Sequence, residues 1–195
     1  MRLMPTRAAV IVPMKPFSAA KGRLAQTLAP SKRASLAREM AQVVLQAAAP
    51  LPVLVVCDHD EVATWARQQE AMVLFQKEPG LNNAVQEAFQ YLREAGFSHV
   101  IVAHGDLPLA QDLAWLAEFE GVTIVPDRHR QGTNVMSVPT SAAFVFGYGP
   151  GSFAYHLDHV QALGLPYRVV EDAALGWDVD EPRDLSVLSR PSEQE

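Results

Sequence analysis

The ten residues from Val100 to Leu109, Val-Ile-Val-Ala-His-Gly-Asp-Leu-Pro-Leu, constrain the fold more than any other stretch. From His99 to Ala103 the run is dominated by apolar residues with no alternation, which predicts a strand covered on both faces. Strands of this kind belong to parallel sheets sandwiched between helices. Gly105 permits a sharp turn, and Pro108 lacks the N–H that a central ladder needs. Asp106 is therefore expected just beyond the carboxyl end of a strand, the edge at which open α/β sheets bind ligands. Position alone leaves two readings for it: a ligand-facing carboxylate, or a cap on a short following helix.

The rest of the chain alternates strand and helix. Ala8 to Val12 is an apolar run closed by Pro13 and reads as a first strand. Ser31 to Ala49 is the clearest helix: Leu36, Met40, Val43, Val44 and Ala47 recur at helical spacing, and Ser31 stands where a cap would. Further strands are expected at Val53–Cys57, Met72–Gln76, Val122–Val125, Val135–Val138 and Tyr167–Val170. Helices are expected at Asp60–Gln69, from a cap at Asn82 to about Arg93, at Asp112–Glu118 and at Ser152–Leu163, Ser152 capping the last. Trp65 and Cys57 are assigned to the core. The pattern predicts a doubly wound, mostly parallel α/β sheet. With no repeat and no linker, residues 1–195 read as one domain with a disordered polar tail from about Arg190.

Composition narrows the function. A formal charge of −6 argues against a nucleic-acid surface. No apolar run approaches the roughly 18 residues of a membrane span. Pro13, Lys15 and Pro16 interrupt the first apolar stretch, unlike a signal peptide. Cys57 is the only cysteine, so no intrachain disulfide forms. The cytoplasm is the expected compartment.

The chemistry-bearing residues gather at strand ends. Lys15, Lys21 and Arg23 lie in Pro13-Met-Lys-Pro-Phe-Ser-Ala-Ala-Lys-Gly-Arg-Leu24, which two prolines keep from being helical. Flanked by small and apolar residues, these cations suit phosphates, although a solvated basic loop is the alternative. The glycine spacing of a P-loop is absent. Pro79-Gly80-Leu81-Asn82 lets a flat ligand approach the backbone at Gly80. Gly149-Pro-Gly-Ser152 opens a helix whose amides could hold an anion. Asp178 and Asp180, two apart, share a face if extended, and with Asp106 make an oxygen donor set suited to magnesium. Asp180 could instead cap a helix beginning at Glu181. His129 lacks a second histidine at ligand spacing. With no Ser/His/Asp trio and no CxxC, the inventory favours phosphoryl or nucleotidyl transfer over covalent catalysis.

Six motifs in one order carry a resemblance: Ile11-Val-Pro-Met-Lys-Pro-Phe-Ser-Ala-Ala-Lys-Gly-Arg-Leu24, Pro79-Gly-Leu-Asn82, Gly105-Asp-Leu-Pro108, Pro126-Asp-Arg-His129 with Gly132-Thr-Asn134, Gly149-Pro-Gly-Ser-Phe153, and Trp177-Asp-Val-Asp-Glu-Pro182. From Ala8 to about Leu188 the chain closely resembles the CofC family. That resemblance implies a nucleotidyltransferase, glycosyltransferase-A-like fold. It also implies a guanylyltransferase that joins GTP to a phosphorylated three-carbon acid and releases pyrophosphate, in biosynthesis of coenzyme F-420. The acid is 2-phospho-L-lactate, phosphoenolpyruvate or 3-phospho-D-glycerate. By motif, Lys15, Lys21 and Arg23 would surround the phosphates, and Asp106, Asp178 and Asp180 would hold Mg2+. Pro79, Gly80, Leu81 and Asn82 would lie near the nucleoside, and Thr133, Gly149 and Ser152 would hold the acid. A homodimer is likewise implied. His104-Gly105 stands where the family commonly has Pro-Ala, Gly22 replaces a common Ser, and Arg130-Gln131 replaces a smaller pair beside Thr133. The alternatives are a related nucleotidyltransferase for a sugar phosphate or pterin, a glycosyltransferase using Asp178 and Asp180, and a non-catalytic nucleotide-binding regulator.

Overall fold

The computed structural model describes residues 7–189. Seven strands form one sheet: β1 (Ala8–Pro13), β2 (Val53–Cys57), β3 (Met72–Phe75), β4 (His99–Ala103), β5 (Val122–Pro126), β6 (Thr133–Pro139) and β7 (Tyr167–Val169), in the order β3-β2-β1-β4-β6-β5-β7. All neighbours pair in parallel except β6, which runs antiparallel to both β4 and β5. The mostly parallel α/β sheet expected from the sequence is thus present, with one reversed strand.

Four helices cover it: α1 (Pro30–Ala47), α2 (Asp60–Gln68), α3 (Leu81–Glu94) and α4 (Ser152–Ala162). Alternate residues of each strand serve opposite faces. Val10, Val12, Val55 and Cys57 pack with Ala37 and Val44 of α1 and Val62 and Ala66 of α2. Ala9, Ile11, Leu54 and Val56 pack with Val85 and Phe89 of α3 and Phe153 and Val160 of α4. The Val, Leu, Ile and Phe side chains among these contribute about 1.5–3 kcal/mol each when fully buried. Cys57 is buried as expected, and Trp65 packs edge-on against Phe17, centroids 5.3 Å apart.

Several local expectations need correction. The segment between Pro13 and Leu24, expected to be non-helical, carries two 3-10 turns, Phe17–Ala19 and Gly22–Leu24. None of the expected caps is the N-cap. Ala29 precedes α1 with Pro30 at its first position, Gly80 precedes α3 and Gly151 precedes α4. Gly80 has φ +110°, which a side chain would strain, so Asn82 lies inside the helix. The expected helix at Asp112–Glu118 is a 3-10 turn over Ala114–Glu118, and the amide of Ala114 donates to Asp112, not to Asp106. No described helix is long and apolar enough to cross a membrane. The polar tail after Arg190 lies outside the described residues.

The topology fixes where a site can form. From β1 the chain moves outward through β2 and β3, then returns to the other side of β1 as β4. The winding therefore reverses between β1 and β4, and the crevice beyond their carboxyl ends is the position at which such sheets bind ligands.

Candidate active site

That crevice is a cavity of about 430 Å³ lined by Lys15, Lys21 and Arg23 from the segment after β1 and by His104, Gly105 and Asp106 after β4, with Asp180 closing one side. The ammonium of Lys21 is its electrostatic centre. Nζ lies 2.6 Å from Asp106 Oδ2 and 3.2 Å from Asp180 Oδ1, and only 8% of the side chain is exposed. Arg23 Nη1 reaches Asp180 Oδ2 at 3.3 Å from a largely exposed position. Lys21 holds φ +55°, a left-handed backbone unusual outside glycine. It is kept there while its side chain bridges two acids from distant parts of the chain.

The charges perturb one another. Burial lowers the Lys21 pKa, but Asp106 and Asp180 outweigh it and the net shift is upward. Burial raises Asp106, yet the Lys21 charge and hydrogen bond hold its carboxyl below the ordinary range. Asp178 shifts the other way although Arg128 Nη1 lies 3.6 Å from its Oδ1: burial, then Asp106 and Asp180, push it up. That like-charge crowding is what a cation relieves. Oδ1 of Asp106 is buried with no hydrogen-bond partner. Among the described residues no three His, Cys, Asp or Glu side chains enclose a metal position; the Lys21 ammonium stands between Asp106 and Asp180 instead. Hard carboxylate oxygens, one of them buried without a partner, fit a magnesium ion chemically.

Asp178 and Asp180 are held by residues the sequence reading overlooked. Arg128, in the loop between β5 and β6, stacks on Trp177 with its guanidinium carbon 4.4 Å from the ring centroid. It donates to the Asp178 carbonyl at 3.0 Å, and its other arm pairs with Asp184. Asp184, 2% exposed, accepts from the amides of Asp180 at 2.9 Å and Glu181 at 2.7 Å. Asp184, not Asp180, therefore caps the 3-10 helix Pro182–Ser189, reaching back from its third position as in a capping box. The acid three residues after Glu181 was the available signal.

The remaining expected site residues are distributed unevenly. Gly80 and Leu81 line the cavity, whereas Pro79 and Asn82 do not. The Asn82 amide is engaged, donating to Tyr148 O at 3.1 Å and accepting from Tyr148 N at 2.6 Å. Thr133 and Ser152 are 1% and 3% exposed and lie outside the cavity lining. The Thr133 amide donates to Ser152 Oγ at 3.1 Å. The Gly147 amide donates to Nε2 of buried His156, so Nδ1 carries the proton and donates to Thr133 Oγ1 at 2.9 Å. Each hydroxyl is thus an acceptor within the fold and keeps its own hydrogen. Gly149, exposed at φ +138°, flanks them before α4.

Known proteins resemble this chain in sequence and in fold. Phosphoenolpyruvate guanylyltransferase of Rubrobacter xylanophilus is 36% identical over 187 residues, covering 91% of each chain. 2-Phospho-L-lactate guanylyltransferase of Methanocaldococcus jannaschii is 27% identical, covering 92% of this chain and 81% of its own. In fold, the chain resembles a Desulfovibrio desulfuricans G20 protein assigned as a nucleotide-diphospho-sugar transferase, with a TM-score of 0.78 at 18% identity over 97% of this chain and 89% of that one. Residues 8–189, which hold every strand and the whole crevice, match the family described as guanylyl transferase CofC-like, and the chain belongs to that family.

Proposed function

We propose that the protein transfers a guanylyl group from GTP to a phosphorylated three-carbon acid, with release of pyrophosphate, in the biosynthesis of coenzyme F-420. The observation that carries this is the juxtaposition in one crevice of Lys15, Lys21 and Arg23 with Asp106 and Asp180. Cations for a triphosphate and acids for a divalent cation are the two charge classes that nucleotidyl transfer requires. An oxygen of the acceptor's phosphate bonds to the α-phosphorus of GTP, the bond from that phosphorus to the bridging oxygen breaks, and pyrophosphate leaves with the electron pair. A phosphate dianion is already a nucleophile, so no protein base is needed. Lys15, Lys21 and Arg23 neutralise the triphosphate and the departing pyrophosphate. Asp106, Asp178 and Asp180 would hold Mg2+, which would supply positive charge to offset the negative charge of the phosphates. Gly80 and Leu81, with Pro79 and Asn82 behind them, would form the nucleoside side. Thr133, Ser152 and Gly149 would receive the acid, the two hydroxyls donating the hydrogens that the fold leaves free.

The test is pyrophosphate release with Mg2+ and GTP, offering phosphoenolpyruvate, 2-phospho-L-lactate and 3-phospho-D-glycerate separately, with ATP, CTP and UTP as replacements. The relative named for phosphoenolpyruvate is 36% identical and that named for 2-phospho-L-lactate 27%, so phosphoenolpyruvate is the first acceptor to try. Release with GTP and one acid is expected. Release with none, from folded protein that still binds GTP, would overturn the reading in favour of another acceptor or a regulator.

A further inference from the structure

The cavity extends away from the charged centre toward the outer strands, and there it meets a feature that phosphate binding does not explain. Asp58 and Gln76 both line it. They are the first residues past the paired ends of β2 and β3: Cys57 pairs with Phe75, and the amide of Gln76 donates to the Cys57 carbonyl at 2.9 Å. The two side chains therefore emerge side by side at the carboxyl edge. Their neighbours are engaged, His59 accepting from the Glu61 amide and Lys77 donating to Glu87. Among the described residues, neither the Asp58 carboxylate nor the side-chain carboxamide of Gln76 has a hydrogen-bond or ion-pair partner.

A lone carboxylate in a cavity built for a polyanion is repulsive unless it faces a part of the ligand rich in donors. Asp106 and Asp180 have Lys21 between them; among the described residues no cation pairs with Asp58. In a nucleoside triphosphate the donors furthest from the phosphates are on the base. Guanine presents N1–H and its 2-amino group side by side, matching the two oxygens of a carboxylate, with O6 as an acceptor alongside. Adenine presents a bare N1 at the corresponding position, whose lone pair would oppose the carboxylate. Met14, Val56 and Leu81 supply apolar lining between the two ends of the cavity.

We infer that Asp58 selects guanine by accepting from N1–H and the 2-amino group, with the Gln76 side-chain amide donating to O6. This rests on GTP being the nucleotide used, as proposed above, but not on which acid accepts the guanylyl group.

Calorimetric binding of GTP, ITP and ATP in the presence of Mg2+ tests it without an acceptor. ITP differs from GTP only in lacking the 2-amino group. Wild type should bind GTP about ten- to a hundredfold more tightly than ITP, the range expected for one charge-assisted hydrogen bond. In Asp58→Asn one acceptor becomes a donor, so GTP binding should weaken at least tenfold while ITP weakens less, and the GTP/ITP preference should collapse toward unity. Gln76→Leu should weaken both nucleotides equally, because both carry O6. Asp58 is exposed at a bend, so the substitution does not disturb the core; Asp58→Ser, which should give the same collapse, is the second variant. An unchanged GTP/ITP ratio in the Asp58 variants, or no preference in wild type, overturns the assignment to Asp58. Unchanged binding in Gln76→Leu overturns the O6 contact. If wild type binds no GTP, the failure belongs to the guanylyl-transfer reading itself; if it binds GTP selectively but releases no pyrophosphate with any acid, the guanine site stands and only the acceptor reading fails.

Discussion

Replacing Lys21 with methionine keeps much of the side-chain volume and removes its charge. In the wild type Nζ sits 2.6 Å from Asp106 and 3.2 Å from Asp180, so the variant leaves mutually repelling carboxylates. Removing one partner of a buried ion pair costs about 3–5 kcal/mol. Asp106 is 24% and Asp180 46% exposed, which moves part of the interaction toward the screened regime. There a pair contributes about 1 kcal/mol or less. The expected loss lies between, at about 2–3 kcal/mol, or a melting temperature lower by about 4–12 °C for a chain of this size. The pH dependence carries a sign. Lys21 holds the Asp106 carboxyl low, so the pair stabilises the fold above the unfolded carboxylate range and is lost as pH falls through the folded value. Without Lys21, burial pushes the same carboxyl up against the lesser pull of His104, and the variant gains stability as it protonates. The gap between wild type and variant should therefore shrink from about pH 7 to about pH 4.5. Thermal unfolding in chelator at both pH values measures it. Melting within about 1 °C of wild type at neutral pH would refute the account of Lys21 as the cation that holds this centre together.

Other perturbations probe the surrounding framework. Asp184→Asn turns one acceptor of two backbone amides into a donor and removes the charge facing Arg128. It should cost about 1–3 kcal/mol of stability and lower turnover at least tenfold, because Asp178 and Asp180 lose their anchor. A lower melting point with wild-type turnover would make the anchor purely structural. His156 is fully buried, and burial, then His104 and His159, hold its pKa down to about 4. The unfolded chain takes up that proton near 6.5, so stability declines as pH drops from about 6.5 toward 4, by at most about 3 kcal/mol. His156→Gln should flatten this acid limb in urea midpoints measured against pH, leaving the share of His99, which burial also holds at about 4. A variant whose midpoints track wild type at every pH would refute it.

The fold and the charged centre were legible in the sequence because both depend on short-range chemistry. The unalternating run from His99 to Ala103 required two covered faces, and Gly105 and Pro108 required the strand to end before Asp106. The cations of the first loop stood out because prolines and small residues isolate them. What stayed hidden depends on contacts between distant parts of the chain. The reversal of β6 arises because a tight loop returns the chain beside β4, and periodicity is blind to direction. Residue type points to Ser31, Asn82 and Ser152 as caps, but Pro30, Gly80 and Gly151 set the entry geometry through φ, while Ser152 and Asn82 bond to Thr133 and Tyr148 instead. Arg128 and Asp184 are 56 residues apart, and only the fold shows that one anchors what the other caps.

The central assignment is that guanylyl transfer takes place at Asp106. Its most direct test is turnover of Asp106→Asn with saturating GTP, Mg2+ and the acid that supports release in wild type. The variant changes one buried oxygen to an amide nitrogen and leaves the strand and turn intact. A fall of two or more orders of magnitude in pyrophosphate release, with GTP binding retained, is the result expected when a charge-stabilising group is lost from a transfer site, where one such donor alone accounts for about 10²–10³. Wild-type turnover in this variant would contradict the assignment and move the chemistry away from the β1–β4 crevice.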